Sequence, residues 1–287
     1  GRFAFDNNDL FGCTAMCPGP VGTVFSLNPV NGRRQTISRP SDAFNAFPPW
    51  SPRGDQLTFL SGPDTGYQLG DIYPPQAQVV VTALARPRRR VVPIPAGLTQ
   101  LLDPSSARDG AHLLVVGVDA ATGRADLYRI GVDGSGLRQI RIAGLVDARY
   151  AVAQPVMSST GRIAFVESNA VYVLTRGGRA LRLHRGVNPD FSPDGKRIVF
   201  YDPQDATIYS IGIDGRGARR LATLRNDLSP HPVYSPSGRY VAFISLVFSH
   251  PAQLKIMNVD GSHVRTAAQL PGHAQNLDWQ ALPAAGH

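Results

Sequence analysis

Apolar and polar residues alternate along this chain in short runs, separated by Gly, Pro, Asp and Ser, and no stretch keeps a helical period. The clearest run covers residues 188–221. Phe191 closes a first strand. Ser192-Pro193-Asp194-Gly195 reads as a type I turn, with Pro at its second position and Gly at its fourth. Residues 197–201 read as a second strand, 207–213 as a third and 219–223 as a fourth. Asp214-Gly215 is predicted to be a hairpin turn that favours positive φ at both central positions. Four short strands in a meander cannot bury both of their faces alone, so copies of the unit are expected elsewhere.

The copies are there. Trp50-Ser51-Pro52-Arg53-Gly54 precedes an apolar strand at 57–59, Met157-Ser158-Ser159-Thr160-Gly161 one at 163–165, and Tyr234-Ser235-Pro236-Ser237-Gly238 one at 240–243. A degenerate version sits at 105–110, with no assignable anchor before its turn. Later turns recur at Asn31-Gly32, Asp133-Gly134, Gly177-Gly178 and Asp260-Gly261, while the copy at 77–84 has lost its turn. The two ends share one unit. Gly1-Arg2-Phe3-Ala4-Phe5 aligns with Gly161-Arg162-Ile163-Ala164-Phe165, a second strand lacking a first. Leu277-Asp278-Trp279 aligns with Pro189-Asp190-Phe191, a first strand lacking a second. Pairing the two ends closes a ring and removes an open sheet edge.

The fold expected is all-β: a six-bladed β-propeller of four-stranded antiparallel blades, closed by the C-terminal strand, in a single domain over 1–287. Blade 1 is assigned to 1–38 plus 274–282, blade 2 to 44–95, blade 3 to 100–143, blade 4 to 152–184, blade 5 to 187–224 and blade 6 to 230–268.

Composition changes this picture little. The net charge is +8, from 27 arginines and two lysines against 20 aspartates and one glutamate, Glu167. Aspartate serves turns that glutamate cannot. The arginines are scattered one or two per repeat, apart from Arg86, Arg88, Arg89 and Arg90, so they read as a solvated outer edge rather than a nucleic-acid surface. No apolar run approaches membrane-spanning length.

Phe191 through Leu221 resembles the TolB-type propeller repeat, an aromatic-Ser-Pro-Asp-Gly-Lys-x-Ile-x-Phe turn and strand followed by Ile-Tyr, Asp-Gly and Arg-x-Leu elements. Residues 234–265 follow it closely. Blade 3 lacks a clear Ser-Pro-x-Gly, and blade 4 has Ser159 in place of the proline. Nothing in the chain corresponds to the α/β domain that precedes the propeller in TolB. The resemblance implies an exported, periplasmic or envelope-associated protein that binds a protein or peptide partner. Propellers of this kind also occur in peptidases and polysaccharide lyases.

Recognition is expected on the face opposite the repeated turns. Its loops carry the aromatics Phe11, Tyr67, Tyr73 and Phe248. The position three before each anchor holds Phe47, Gln154, Asn188, His231 and Asn276, with the degenerate blade unassigned. These residues are expected to ring the mouth of a central channel, beside His273. They serve either a ligand or the backbone of the connecting loops. His231, His250 and His273, with His184, lack the local spacing of a metal site, and none is assigned. Cys13 and Cys17, the two cysteines, are placed as a disulfide within one loop, with free thiols as the alternative. No nucleophile, zinc or phosphate-loop motif is present, so no cofactor or catalytic residue is assigned. The reading is a non-enzymatic, monomeric interaction scaffold. Its alternatives are a lyase or hydrolase using a channel-mouth histidine, and a glycan or surface-polymer binder.

Overall fold

The computed structural model describes residues 1–8, 22–39, 44–62, 77–85, 88–145, 152–225, 227, 230–247, 251–272 and 274–280. Six antiparallel four-stranded sheets form a ring, with no helix among the described residues. In blade 5 the strands run outward from the axis as Val187–Phe191, Arg197–Asp202, Thr207–Gly212 and Arg219–Thr223. The C-terminal strand Ala274–Trp279 is innermost in blade 1 and pairs with Phe3–Asn8, placing Phe3 opposite Trp279 and Ala4 opposite Asp278. The ring therefore closes between the two ends of the chain, as the split repeat predicts.

The core lies between blades rather than within them. Ala164, Val166, Val171 and Val173 of blade 4 pack against Phe191, Ile198, Phe200 and Ile211 of blade 5. Val199, Tyr201 and Ile208 of blade 5 pack on their other side against Tyr234, Val241 and Phe243 of blade 6. Each second strand thus turns alternate residues to alternate neighbours, which is why its centre reads as a continuous apolar run. The recurrent phenylalanine at this strand's centre is fully buried at Phe5, Phe59, Phe165, Phe200 and Phe243.

The signature turn has one chemical basis. Its serine hydroxyl accepts the N–H that opens the next strand: Arg162 to Ser158 at 3.0 Å, Arg197 to Ser192 at 2.9 Å and Tyr240 to Ser235 at 3.0 Å. In blade 3 the turn is Ala107-Arg108-Asp109-Gly110, which keeps the backbone bond from Gly110 to Ala107 at 2.9 Å. The lost hydroxyl is replaced by Asp109, whose Oδ1 accepts from Ala111 and His112 at 3.0 Å each. The anchor left unassigned in the sequence is therefore Ser106.

The Asp-Gly turns differ from expectation. Only the glycine has positive φ, as at Gly215 with 80°. Gly215 donates to the Gly212 carbonyl at 2.9 Å and Gly212 to Arg216 at 2.9 Å, a type I turn followed by a left-handed glycine. Asp214 instead uses its carboxylate to accept the Arg216 N–H at 3.0 Å. These glycines also pack the ring, since Gly134 approaches Pro93 and Gly261 the backbone of Leu221, each on the preceding blade.

Gly261→Ala would drive a methyl group into the Leu221 backbone at a φ of +87°, whereas at Gly32, with φ +68°, the same methyl meets nothing within 4 Å. In urea denaturation, Gly32→Ala is expected to cost about 1 kcal/mol, from the left-handed strain alone. Gly261→Ala is expected to cost at least about 2 kcal/mol more. Equal losses would mean that the turn does not dock on its neighbour.

Candidate functional site

Three residues before each anchor, the innermost strand breaks its ladder. Phe47, Asp103, Gln154, Asn188 and Asn276 all have φ between 45° and 56°. In blades 3, 4 and 5 the strand register shifts at this residue, between Leu102 and Ser105, Ala153 and Val156, and Val187 and Asp190. Such a bulge leaves a residue outside the ladder and re-aims its N–H and side chain. Here they point around the ring. Gln154 N donates to Asp103 Oδ2 at 2.8 Å, and Asn188 N donates to Gln154 Oε1 at 2.7 Å. Asn188 Nδ2 donates onward to the Pro230 carbonyl at 3.4 Å. At the seam from blade 1 to blade 2, Asp6 Oδ2 accepts both Phe47 N at 2.8 Å and Asn276 Nδ2 at 2.7 Å.

A second set of staples lies two residues deeper. Trp50 N donates to Asp278 Oδ2 at 2.6 Å, and Tyr234 N donates to Asp190 Oδ2 at 2.7 Å. Each carboxylate ties its own blade to the next.

These strands enclose an axial cavity of about 790 Å³, lined by residues of all six blades. The exposed lining residues Pro52, Arg108, Ser159 and Pro193 stand at one end of it, and Phe47, Asp103, Gln154, Asn188, His231 and Asn276 line the other. Pro48, Pro104, Pro155, Pro189 and Pro232, with Leu277, form the next ring inward. Below them come Pro49, Ser105, Val156, Asp190, Val233 and Asp278. Among the described residues, Arg108 at the far, Ser-Pro end supplies the cavity's one arginine or lysine.

Asp190 and Asp278 are partly exposed to the cavity, and Asp6 is fully buried beside it. Burial, reinforced by the Asp278 charge, pushes Asp190 up to about 8; burial pushes Asp278 up to about 6 and Asp6 up to about 7. Burial lowers His231 to about 3, so its imidazole is neutral at physiological pH. An imidazole with that value is a weak base, poorly matched to proton abstraction near neutrality.

The structure brings four sequence-assigned residues, Gln154, Asn188, His231 and Asn276, to one end of the cavity together with Phe47. His273, Tyr67, Tyr73, Phe248, Cys13, Cys17, Phe11 and His250 lie outside the described residues. His184 does not line the cavity. It stacks between Phe200 and Tyr209, with ring centroids at 5.2 and 5.0 Å, in the seam between blades 4 and 5. Among the described residues, no group of three or more His, Cys, Asp or Glu could hold a metal ion. Sequence reasoning missed Asp103, Asp190, Asp278 and Asp6. The signal for Asp103 was the X-Pro pair shared by Phe47-Pro48, Gln154-Pro155, Asn188-Pro189 and His231-Pro232. Asp6 is visible as a carboxylate where the aligned position of blade 4 holds Val166.

The fold and the axial cavity define a six-bladed β-propeller. Its architecture is similar to that of TolB from Acinetobacter baumannii, with 17% identity, a TM-score of 0.72 and coverage of 96% of this chain but 66% of that one. It is also similar to a putative TolB from Agrobacterium tumefaciens, with 21% identity, a TM-score of 0.67 and coverage of 98% and 94%. An oligogalacturonate lyase from Vibrio parahaemolyticus shares the fold more distantly, at 13% identity and a TM-score of 0.55 over 83% of this chain and 72% of that one. No family model and no curated protein matches the sequence. Among the described residues, no helix is long and apolar enough to cross a membrane.

The raised value of Asp190 sets a pH dependence. Its proton is held more tightly in the folded than in the unfolded chain, so its stabilising contribution is complete below about 4 and is lost as pH rises towards about 8. Asp190→Asn cannot ionise, yet its side-chain oxygen still accepts from Tyr234. The melting temperature of Asp190→Asn relative to wild type is expected to rise between pH 4 and pH 9, by about 2 °C or more. A difference that is flat, or falls with pH, would show that the carboxylate is not held out of water.

Proposed function

We propose that this protein is a non-enzymatic interaction scaffold that binds a protein or peptide partner at the channel mouth and the adjoining loop face. The observation that carries the reading is the axial cavity, which gathers Gln154, Asn188, His231 and Asn276 from four blades around a space large enough for several side chains. The likeness to TolB structures supports an exported protein working in the periplasm or at the cell envelope. On this reading the whole chain acts as one propeller domain and a monomer. Tyr67, Tyr73, Phe248 and His273 belong to the loops that would extend the contact, and Cys13–Cys17 would brace one of them.

The enzymatic alternative is carried by the lyase likeness alone, and the low value of His231 argues against that residue as a base. The scaffold reading is tested by selecting peptides from a displayed random library against the wild-type protein, then measuring them on Ser105→Trp. Ser105 is a small residue on the cavity wall, and the indole fills the space beside it. Selected peptides are expected to lose at least tenfold in affinity for Ser105→Trp while binding Ser105→Ala as they bind wild type. Peptides that bind all three proteins equally would place recognition outside the channel.

A further inference from the structure

Charge is distributed oddly in this molecule. The chain has 29 lysines and arginines, yet among the described residues one of them, Arg108, lines the axial cavity, and it stands at the Ser-Pro end. Four carboxylates line the same wall, those of Asp103, Asp190 and Asp278 and that of Asp109, which is paired with Arg129 at the Ser-Pro end. Asp190 and Asp278 occupy equivalent positions, one residue before Phe191 and Trp279, on innermost strands separated by one blade. The equivalent residues elsewhere are Pro49, Ser105, Val156 and Val233, none of them ionisable. Asp190 and Asp278 line the same cavity, and the charge of Asp278 raises the proton affinity of Asp190. His231 on the intervening blade is neutral and offers no counter-charge.

The wall around this pair suits a cation that carries an apolar stem. Five prolines collar the cavity on the side of Phe47 and Asn276, and the aromatic residues Trp50, Phe191, Tyr234 and Trp279 stand one residue further along on the other side. Aliphatic stems pack on such surfaces while a charged head reaches carboxylates, and aromatic rings add to the attraction for a cation. A guanidinium can also meet two acceptors at once. An anionic segment would be repelled by Asp278, and a neutral one would leave Asp190 holding its proton.

Resting on the channel reading above, we infer that the partner segment is cationic, and that it inserts an arginine or lysine side chain past the proline collar to lie between Asp190 and Asp278. The cavity then selects its partner by charge, and the amides of Gln154, Asn188 and Asn276, with His231, orient the peptide backbone around that anchor.

The test uses two fluorescein-labelled Ala-rich peptides of equal length, one with two arginines and one with citrulline, their neutral isostere, in the same places. Anisotropy is measured on the full chain as wild type, as Asp190→Asn with Asp278→Asn, and as Ser105→Trp. Both Asn side chains keep the oxygen that accepts from the next blade, and thermal melts check that each variant is folded. The arginine peptide is expected to bind wild type at least tenfold more tightly than the citrulline peptide. The double Asn variant is expected to abolish that difference, and Ser105→Trp to weaken both peptides. Equal binding of the two peptides in the channel would overturn the cationic anchor and leave the scaffold reading standing. Arginine-dependent binding that survives in the double Asn variant would also overturn it, by locating the contact elsewhere. Binding of neither peptide overturns it as well; the scaffold reading then fails with it only if the displayed-library selection also yields no channel-dependent peptide.

Discussion

A blade of this protein has two apolar faces and, among the described residues, no helix to cover either, so each blade is stable only against two others. The consequence runs through the whole structure. The large buried side chains, such as Phe200 between blades 4 and 5 and Phe243 between blades 5 and 6, belong to seams rather than to single sheets. Six seams require a closed ring, and the ring closes where Ala274–Trp279 pairs with Phe3–Asn8. Closure matters energetically because an open end would expose one apolar face and one strand edge together.

Towards the axis the blades converge, and the way they are joined changes. There apolar packing gives way to hydrogen bonds that pass from one blade to the next. The bulged residue with positive φ turns its N–H towards the preceding blade, and a side-chain oxygen there receives it, as Asp103 does for Gln154 and Gln154 for Asn188. A buried N–H without such a partner would cost about 1–3 kcal/mol, so the staples are required by the geometry that opens the channel. The same requirement explains acidic residues in the wall of a basic protein. Asp190 and Asp278 are acceptors for Tyr234 and Trp50, and their raised proton affinity is the cost of holding them away from bulk water. A structural group kept in this condition is also available to a ligand of opposite charge.

The fold was legible because it is written several times over. Ser-Pro-x-Gly and Asp-Gly have local chemical causes, a hydroxyl that accepts the next strand's N–H and a glycine in left-handed conformation, so they survive as patterns. Blade 3 was blurred because Asp109 does the work of the missing serine from a different position, which no pattern of identities reveals. The cavity residues Gln154, Asn188, His231 and Asn276 could be found by counting back from the anchors. The left-handed backbone of Gln154, Asn188 and Asn276 could not, since nothing local demands it of Phe47 or Gln154 and tertiary hydrogen bonds impose it. Asp190 and Asp278 looked like repeat residues. Their importance depends on which blades become neighbours around the cavity, a property of the closed ring.

The most direct test of the account is to map where a bound peptide touches the protein. A channel-dependent peptide carrying a photoreactive benzoylphenylalanine is cross-linked to the wild-type chain and the adducts are located by mass spectrometry. The account predicts adducts on cavity residues from several blades, such as Phe47, Val156, His231 and Leu277. Adducts concentrated on the outermost strands, at Arg138, Leu181 or Arg219, would contradict it.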